Sequence, residues 1–265
     1  MPIATCNGID LYYERAGEGP PLLFLNGSGS TLLTSALVIA PFTKRFDVVA
    51  HDQRGLGRTA IPPGPYSMAD YAHDALALLD HVGWTTCRVF GISFGGMVAQ
   101  ELAVTAPERV ERLALICTSA GGAAGASYPL HELEALPADD RAAVGVSILD
   151  TRFTPEWLAD PAHAGDAALV KARGAVTPSD DPDVRRGMRE QLLARSHHDV
   201  SDRLHRITCP TLVAGGRFDG IAPPANSEAI AARVAGAELH LYDGGHAFLA
   251  QDRRAFPDVL EFLSA

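Results

Sequence analysis

The stretch Arg88-Val89-Phe90-Gly91-Ile92-Ser93-Phe94-Gly95-Gly96 decides how this chain folds. An apolar run that reads as a buried strand gives way at Ser93 to the start of a helix, which Pro107 later ends. A serine on so abrupt a turn points its hydroxyl away from the sheet. The close backbone packing around it needs small residues two before and two after, and Gly91 and Gly95 supply them. The helix start also puts the positive end of a dipole where negative charge on the Ser93 oxygen would develop. Taken alone, the segment is equally a glycine-rich strand–helix turn, so its meaning rests on what surrounds it.

Outward from this turn, residues 21–25, 47–50, 112–117 and 211–214 are near-continuous apolar runs, as strands covered on both faces should be. Residues 10–16 alternate like an antiparallel strand. Helical spacing covers 68–82, 94–105, 223–234 and 254–263, with acidic residues interleaved in the first of these. Strands alternating with helices predict an α/β class fold: a mostly parallel sheet flanked by helices. From residue 121 to 206 the alternation stops. Helical patches at 130–136, 139–149, 155–159 and 182–196 are separated by Gly, Pro and Asp. This predicts a core of residues 1–120 and 207–265 with a helical cap (a lid) of residues 121–206 inserted in it.

Composition narrows the class of partner. The chain has 265 residues, 47% hydrophobic and 20% charged, which suits a soluble globular protein. Thirty-two acids against 22 bases leave a net charge of −10, a field that repels phosphates, so neither a nucleic-acid partner nor an anionic membrane is expected. The longest apolar stretch, 32–42, is interrupted by polar residues and far short of the ~20 needed to span a bilayer. Met1-Pro2-Ile3-Ala4-Thr5-Cys6 lacks a basic region followed by an apolar one, so a cytoplasmic location is expected. Cys6, Cys87, Cys117 and Cys209 form no C-x-x-C pair and read as reduced thiols packed as small hydrophobes.

A serine hydroxyl becomes a nucleophile at neutral pH only beside a base, and the base needs an orienting acid. Of ten histidines, His246 stands out in Gly244-Gly245-His246-Ala247-Phe248, just after the apolar run 238–242. Asp219 follows the run 211–214 in Gly215-Gly216-Arg217-Phe218-Asp219. Ser93, Asp219 and His246 thus occur in that chain order at carboxyl ends of predicted parallel strands, where open α/β sheets gather their active sites. Asp243 is the competing acid, although its place beside glycines suggests a turn. Arg217 reads as a brace for the Asp219 loop. In His51-Asp52-Gln53-Arg54-Gly55-Leu56-Gly57, Asp52 and Arg54 read as loop-holding ion-pair residues. The acidic cluster Asp180-Asp181-Pro182-Asp183 reads as a solvated helix start, since it lacks EF-hand spacing.

These segments, with Leu25-Asn26-Gly27-Ser28-Gly29, resemble the α/β-hydrolase superfamily over essentially the whole chain. Within it, the chain is similar to small esterases, 3-oxoadipate enol-lactonases, cofactor-free haloperoxidases and meta-cleavage C–C hydrolases. The resemblance implies the α/β-hydrolase fold, an eight-stranded sheet with its cap after strand 6. It also implies an oxyanion hole made by the backbone N–H groups of Phe94 and Ser28. Asparagine at position 26, where many relatives carry histidine, favours the enol-lactonases. The expected function is cleavage of a small, largely apolar carboxylic ester or lactone through an acyl-enzyme, with Ser93, Asp219 and His246 catalytic and no metal or organic cofactor. Two alternatives use the same fold: a C–C bond hydrolase with the same triad, and a non-catalytic ligand receptor. An epoxide hydrolase or dehalogenase is disfavoured, because those carry Asp where Ser93 stands. A small-molecule substrate is the expected partner, and a homo-oligomer is compatible with the sequence. Met97, Phe94, Tyr128, Leu130 and Trp157 are candidates for an apolar pocket, though at helical spacing such residues are more often packing core.

Overall fold

The short apolar runs become strands because their Leu, Val and Phe side chains alternate between two buried faces, and the helices cover both. The structure, a computed structural model, describes residues 2–174 and 179–265. In chain order, β1 (Ile3–Cys6), β2 (Ile9–Ala16) and β3 (Pro21–Leu25) precede α1 (Leu32–Ile39), β4 (Asp47–His51), α2 (Met68–His81), β5 (Cys87–Ile92), α3 (Phe94–Thr105) and β6 (Val110–Ile116). Four helices follow: α4 (Ala138–Leu149), α5 (Pro155–Ala159), α6 (Ala164–Gly174) and α7 (Pro182–Ser196). Then come β7 (Thr211–Gly216), α8 (Pro224–Ala231), β8 (Glu238–Tyr242), α9 (Phe248–Gln251) and α10 (Ala255–Ser264).

The eight strands form one sheet in the order β1-β2-β4-β3-β5-β6-β7-β8. β1 and β2 pair antiparallel, as do β2 and β4; every pairing from β4 onward is parallel. Side chains one residue apart go to opposite faces. Leu23, Leu25, Val89, Leu113, Leu115 and Val213 pack with residues of α2, α3 and α8, while Leu22, Phe24, Phe90, Ala114, Ile116 and Leu212 pack with Phe42, Val259 and Leu263. Each fully buried side chain of this size contributes about 1.5–3 kcal/mol, so the strands are pinned in register from both sides.

Four elements lie outside the expected ones, the short α9 and three others. β1 pairs with β2 through a turn at Asn7-Gly8, both at positive φ (47° and 77°), the backbone a two-residue hairpin demands. α1 carries Leu33 and Leu37 on its solvent side, exposed by 82% and 89%, so its apolar residues show no single stripe. A capping box between Thr31 and Thr34 starts it instead. α6 buries no residue at all. Between β6 and β7 no strand occurs among the described residues, and no helix of the described residues is long and apolar enough to cross a membrane.

Candidate active site

β5 is buried along most of its length and hands over to α3 at Ser93, whose φ of +55° lies in the left-handed region that a non-glycine residue seldom adopts. Surrounding bonds hold this strain. The Ser93 N–H donates to the Ile116 carbonyl (2.8 Å), and its own carbonyl accepts from Gly96 N–H (2.9 Å) and Thr118 Oγ1 (2.8 Å). A Cβ at Gly95 would strike the Leu25 carbonyl, and one at Gly91 would strike the Gly95 carbonyl. Only glycine allows α3 to dock this tightly against β3 and β5.

β7 and β8 deliver the other two residues at the same sheet edge. Asp219 is buried, and its Oδ1 accepts from the N–H groups of Ile221 and Ala222, both at 2.8 Å. Its Oδ2 lies 2.7 Å from His246 Nδ1, and His246 Nε2 lies 2.9 Å from Ser93 Oγ. Burial by itself would make the imidazole less basic; the Asp219 carboxylate outweighs it and holds the His246 pKa above its ordinary value. With Nδ1–H given to Asp219, Nε2 is the nitrogen free to take a proton from Ser93.

The end of α4 threads between the loops that carry the acid and the base. Gly220 N–H donates to the Ile148 carbonyl (3.0 Å), Thr151 N–H to the Phe218 carbonyl (2.9 Å) and His246 N–H to the Leu149 carbonyl (2.7 Å). Asp150 anchors this strut. It is fully buried, and its carboxylate takes both Arg152 Nε (2.9 Å) and Nη2 (2.7 Å) as well as Gln251 Nε2 (2.9 Å). Burial works to raise the Asp150 pKa, and the bonds from Arg152 win and lower it.

Ser93, Ser28, Asn26 and His246 line a cavity of about 500 Å³. Phe94 begins α3, so its N–H is one of the first-turn donors left without an intrahelical acceptor. The opposing loop is near enough that a Cβ at Gly27 would touch Ser93 Cβ at 3.6 Å. Gln53 Nε2 holds that loop at the Asn26 carbonyl (2.7 Å), and Gln191 Oε1 of α7 holds it at Gly29 N–H (2.8 Å). The buried Asn26 side chain and the Ser28 hydroxyl have no hydrogen-bond partner among the described residues.

Other expected residues fall elsewhere. Asp243 is exposed and pairs with Arg152 (2.8 Å), away from His246. Asp52 and Arg54 hold loops, but not by pairing with each other. Asp52 accepts from the N–H groups of Leu32 (2.7 Å) and Arg58 (2.9 Å), whereas Arg54 grips Asp74 through Nε (2.7 Å) and Nη2 (2.6 Å). The Arg217 side chain is exposed; the brace is its backbone N–H, bonded to the Tyr242 carbonyl (3.0 Å). Asp181 caps α7 by accepting from Asp183 N–H (2.8 Å), a helix start as expected. Of the pocket candidates, Leu130 lines the cavity; Phe94 is core against Tyr71, and Trp157 stacks on His163.

Two neighbours of the site escaped the sequence reading. Cys117, at φ +41°, is packed in the core as expected, and its sulfur also lies within 4.8 Å of the Asp219 and His246 ligand atoms. These three form the one grouping of metal-type ligands among the described residues. Asp219 and His246 are committed to each other, and His246 also to Ser93, in one hydrogen-bonded line. Arg173 lines the cavity from α6. Residues separated by more than fifty positions gave no local signal of either approach.

A parallel sheet with a serine, a histidine and an aspartate in one hydrogen-bonded line at its carboxyl edge defines a hydrolase of the α/β class. The family model described as alpha/beta hydrolase fold matches residues 20–252, and the chain belongs to that family. It is 31% identical over 249 residues to the poly(3-hydroxyalkanoate) depolymerase of Ectopseudomonas oleovorans, covering 92% of this chain and 84% of that one. It is 28% identical to 3-oxoadipate enol-lactonase 2 of Acinetobacter baylyi, covering 97% and 94%. Among solved structures, the enol-lactonase from Burkholderia xenovorans matches with a TM-score of 0.79 and 25% identity, covering the whole of both chains. The chain is a hydrolase similar to esterase- and lactonase-like members of the family.

Proposed function

We propose that this hydrolase cleaves a carboxylic ester or lactone of a small, largely apolar substrate through an acyl-enzyme, with Ser93 as nucleophile, His246 as base and Asp219 as the acid that orients it. The line from Ser93 Oγ through His246 to Asp219, with links of 2.9 and 2.7 Å, opens on the 500 Å³ cavity and carries this reading. His246 Nε2 takes the Ser93 proton as Oγ attacks the carbonyl carbon. The oxyanion forms between the N–H groups of Phe94 and Ser28, a pair in which each donor is worth about 10²–10³ in rate. Collapse breaks the bond to the leaving alcohol oxygen, which takes the proton from His246. Water, deprotonated by the same nitrogen, then releases the acid and restores Ser93. No step calls on a metal or organic cofactor.

In this reading the helical segment 121–206 is the cap over the core of 1–120 and 207–265. Leu130, Leu169 and Arg173 form its wall of the cavity. The relatives named for a lactonase and a depolymerase support a carbonyl substrate. The test is fluorophosphonate labelling of the intact protein, alongside turnover of a panel of p-nitrophenyl esters, lactones and ring-fission dienones. Labelling confined to Ser93, with turnover of esters or lactones, is the expected result. Labelling that survives Ser93→Ala overturns the assignment of the nucleophile, and turnover of the dienones alone overturns that of the substrate.

A further inference from the structure

Arg195 is buried deep in the protein, at 4% exposure, with no acid beside it. It lies on α7, where its Nη1 donates to the Tyr128 carbonyl at 2.7 Å. Its Nε is buried without a hydrogen-bond partner, and Nη2 has none among the described residues. Four other arginines show what this edge of the guanidinium does when a carboxylate is available. Arg15, Arg54, Arg152 and Arg254 each place Nε and Nη2 together on one aspartate, at 2.6–3.2 Å. In Arg195 the same fork points to no protein carboxylate.

Arg195 lines a partly open cavity of about 130 Å³ between α3, the 119–129 loop and α7. None of the residues lining it is acidic. His198, at 5% exposure, contributes an imidazole with neither ring nitrogen bonded; His131 Nδ1 is likewise buried and unpartnered, and Ser119 and Ser127 add hydroxyls. A buried guanidinium without a counter-charge, among polar groups that lack partners, is costly unless an anion balances it. Burial pulls the Arg195 pKa down to about 10, with only a counter-pull from Asp219, which already serves His246. The cavity is several times the ~30 Å³ share of one water, room for a carboxylate of a few heavy atoms.

We propose that this cavity is a carboxylate site, in which the Nε/Nη2 edge of Arg195 binds both oxygens of a small carboxylate and His198 and the serine hydroxyls complete its shell. The bidentate fork selects a planar two-oxygen anion over a spherical one of equal charge. The carboxylate is either a free small acid or a group carried by the substrate. The free-acid case is independent of the ester or lactone reading, because binding there needs no turnover.

The test titrates the intact protein with sodium acetate, against sodium chloride at equal ionic strength, following calorimetry and the thermal midpoint. One saturable acetate site is expected, with a midpoint that rises with acetate concentration. Arg195→Lys keeps a charge but lacks the fork, and should bind acetate ~10-fold or more weakly. Arg195→Met should lose the site while staying folded, since it removes a lone buried charge. Should that variant fail to fold, the lysine variant and an acetate-soaked crystal decide. Acetate no better than chloride, unchanged binding in Arg195→Lys, or water alone at the fork of the soaked crystal overturns the proposal. To assign the source, an ester with a remote carboxylate is compared with its neutral methyl ester. A KM raised in Arg195→Lys for the charged ester alone identifies a substrate group; loss of acetate binding with both KM values unchanged identifies a free acid.

Discussion

α3 and α6 have similar lengths, 12 and 11 residues; α3 starts directly after Ser93 at the 500 Å³ cavity and α6 lines that cavity, yet eleven residues of α3 are buried and none of α6 is. α3 begins beside Ser93 and is clamped by β3, β5 and β6. α6 brings Leu169 and Arg173 to the opposite wall on a helix that owes little to tertiary packing. The contrast separates two tasks. Bond-making geometry rests on elements that cannot shift without unmaking the core, whereas the wall that meets the substrate can change sequence at small cost to folding. Substitutions on the two sides should therefore fail in different ways.

The largest effect belongs to the clamped side. Ser93→Ala should leave the thermal midpoint near that of the parent and reduce kcat by at least ~10⁴-fold. Asp219→Asn should come next, with a loss of about 10³–10⁴ in kcat, and it carries a pH signature. In the proposed mechanism His246 takes a proton only when neutral, and Asp219 holds its pKa above the usual 6.5. Activity should therefore rise with pH through an apparent pKa above 6.5 and fall away on the acid side. With Asp219 neutralised, its upward pull on the ring is lost while burial still opposes the charge, so the limb should move to lower pH. A limb that stays in place in Asp219→Asn would detach Asp219 from His246. The same linkage gives folding a share of stability that is fully present below the unfolded pKa of 6.5 and is lost as pH climbs through the raised folded value.

What could be read from sequence follows the same division. Pro21–Leu25 and Glu238–Tyr242 are strands over the residues their apolar runs marked, and Phe94–Thr105 is a helix over its full expected span. Buried periodicity and the steric demands of Gly91 and Gly95 are local and strong. The three residues that meet at the sheet edge were likewise visible, each sitting after an apolar run. Where burial is slight the pattern fades. α6 has no apolar stripe to betray it, and α1 exposes two leucines. The hairpin of β1 was marked only by Asn7-Gly8. Contacts made across the fold left no trace in spacing: Arg54 finds Asp74 rather than the nearer Asp52, and Cys117 reaches a histidine 129 positions away.

Asp150 tests the boundary between the two sides, because α4 leads into it yet its neighbours hold both loops of the site. Asp150→Ala removes the acceptor of the Arg152 fork and of Gln251. Arg152 keeps a partner in Asp243 and some solvent, so the cost in stability should be about 2–3 kcal/mol. If the strut positions His246, kcat should also drop by ~10-fold with KM little changed, and Asp150→Asn, which retains one acceptor oxygen, should recover part of it. A loss of stability with kcat intact would make the network purely structural.

Leu169→Ala should have the smallest effect and sharpens the contrast most. Leu169 lines the cavity from a helix with no buried residue, so its truncation leaves no sealed void and should move stability by less than ~0.5 kcal/mol. A buried leucine on the clamped side, such as Leu102 of α3, should by comparison cost about 2–5 kcal/mol on truncation to alanine. What Leu169→Ala does remove is apolar surface that a bound substrate would cover. Losing about two methylene equivalents of contact corresponds to ~1–2 kcal/mol of binding, hence a KM raised by roughly 5- to 30-fold for an apolar ester with kcat held. The size of the change should grow with the acyl chain if that chain is what meets the α6 wall. A uniform loss of kcat across chain lengths would instead place α6 in the machinery of the chemical step, and the division drawn between the two helices would fall.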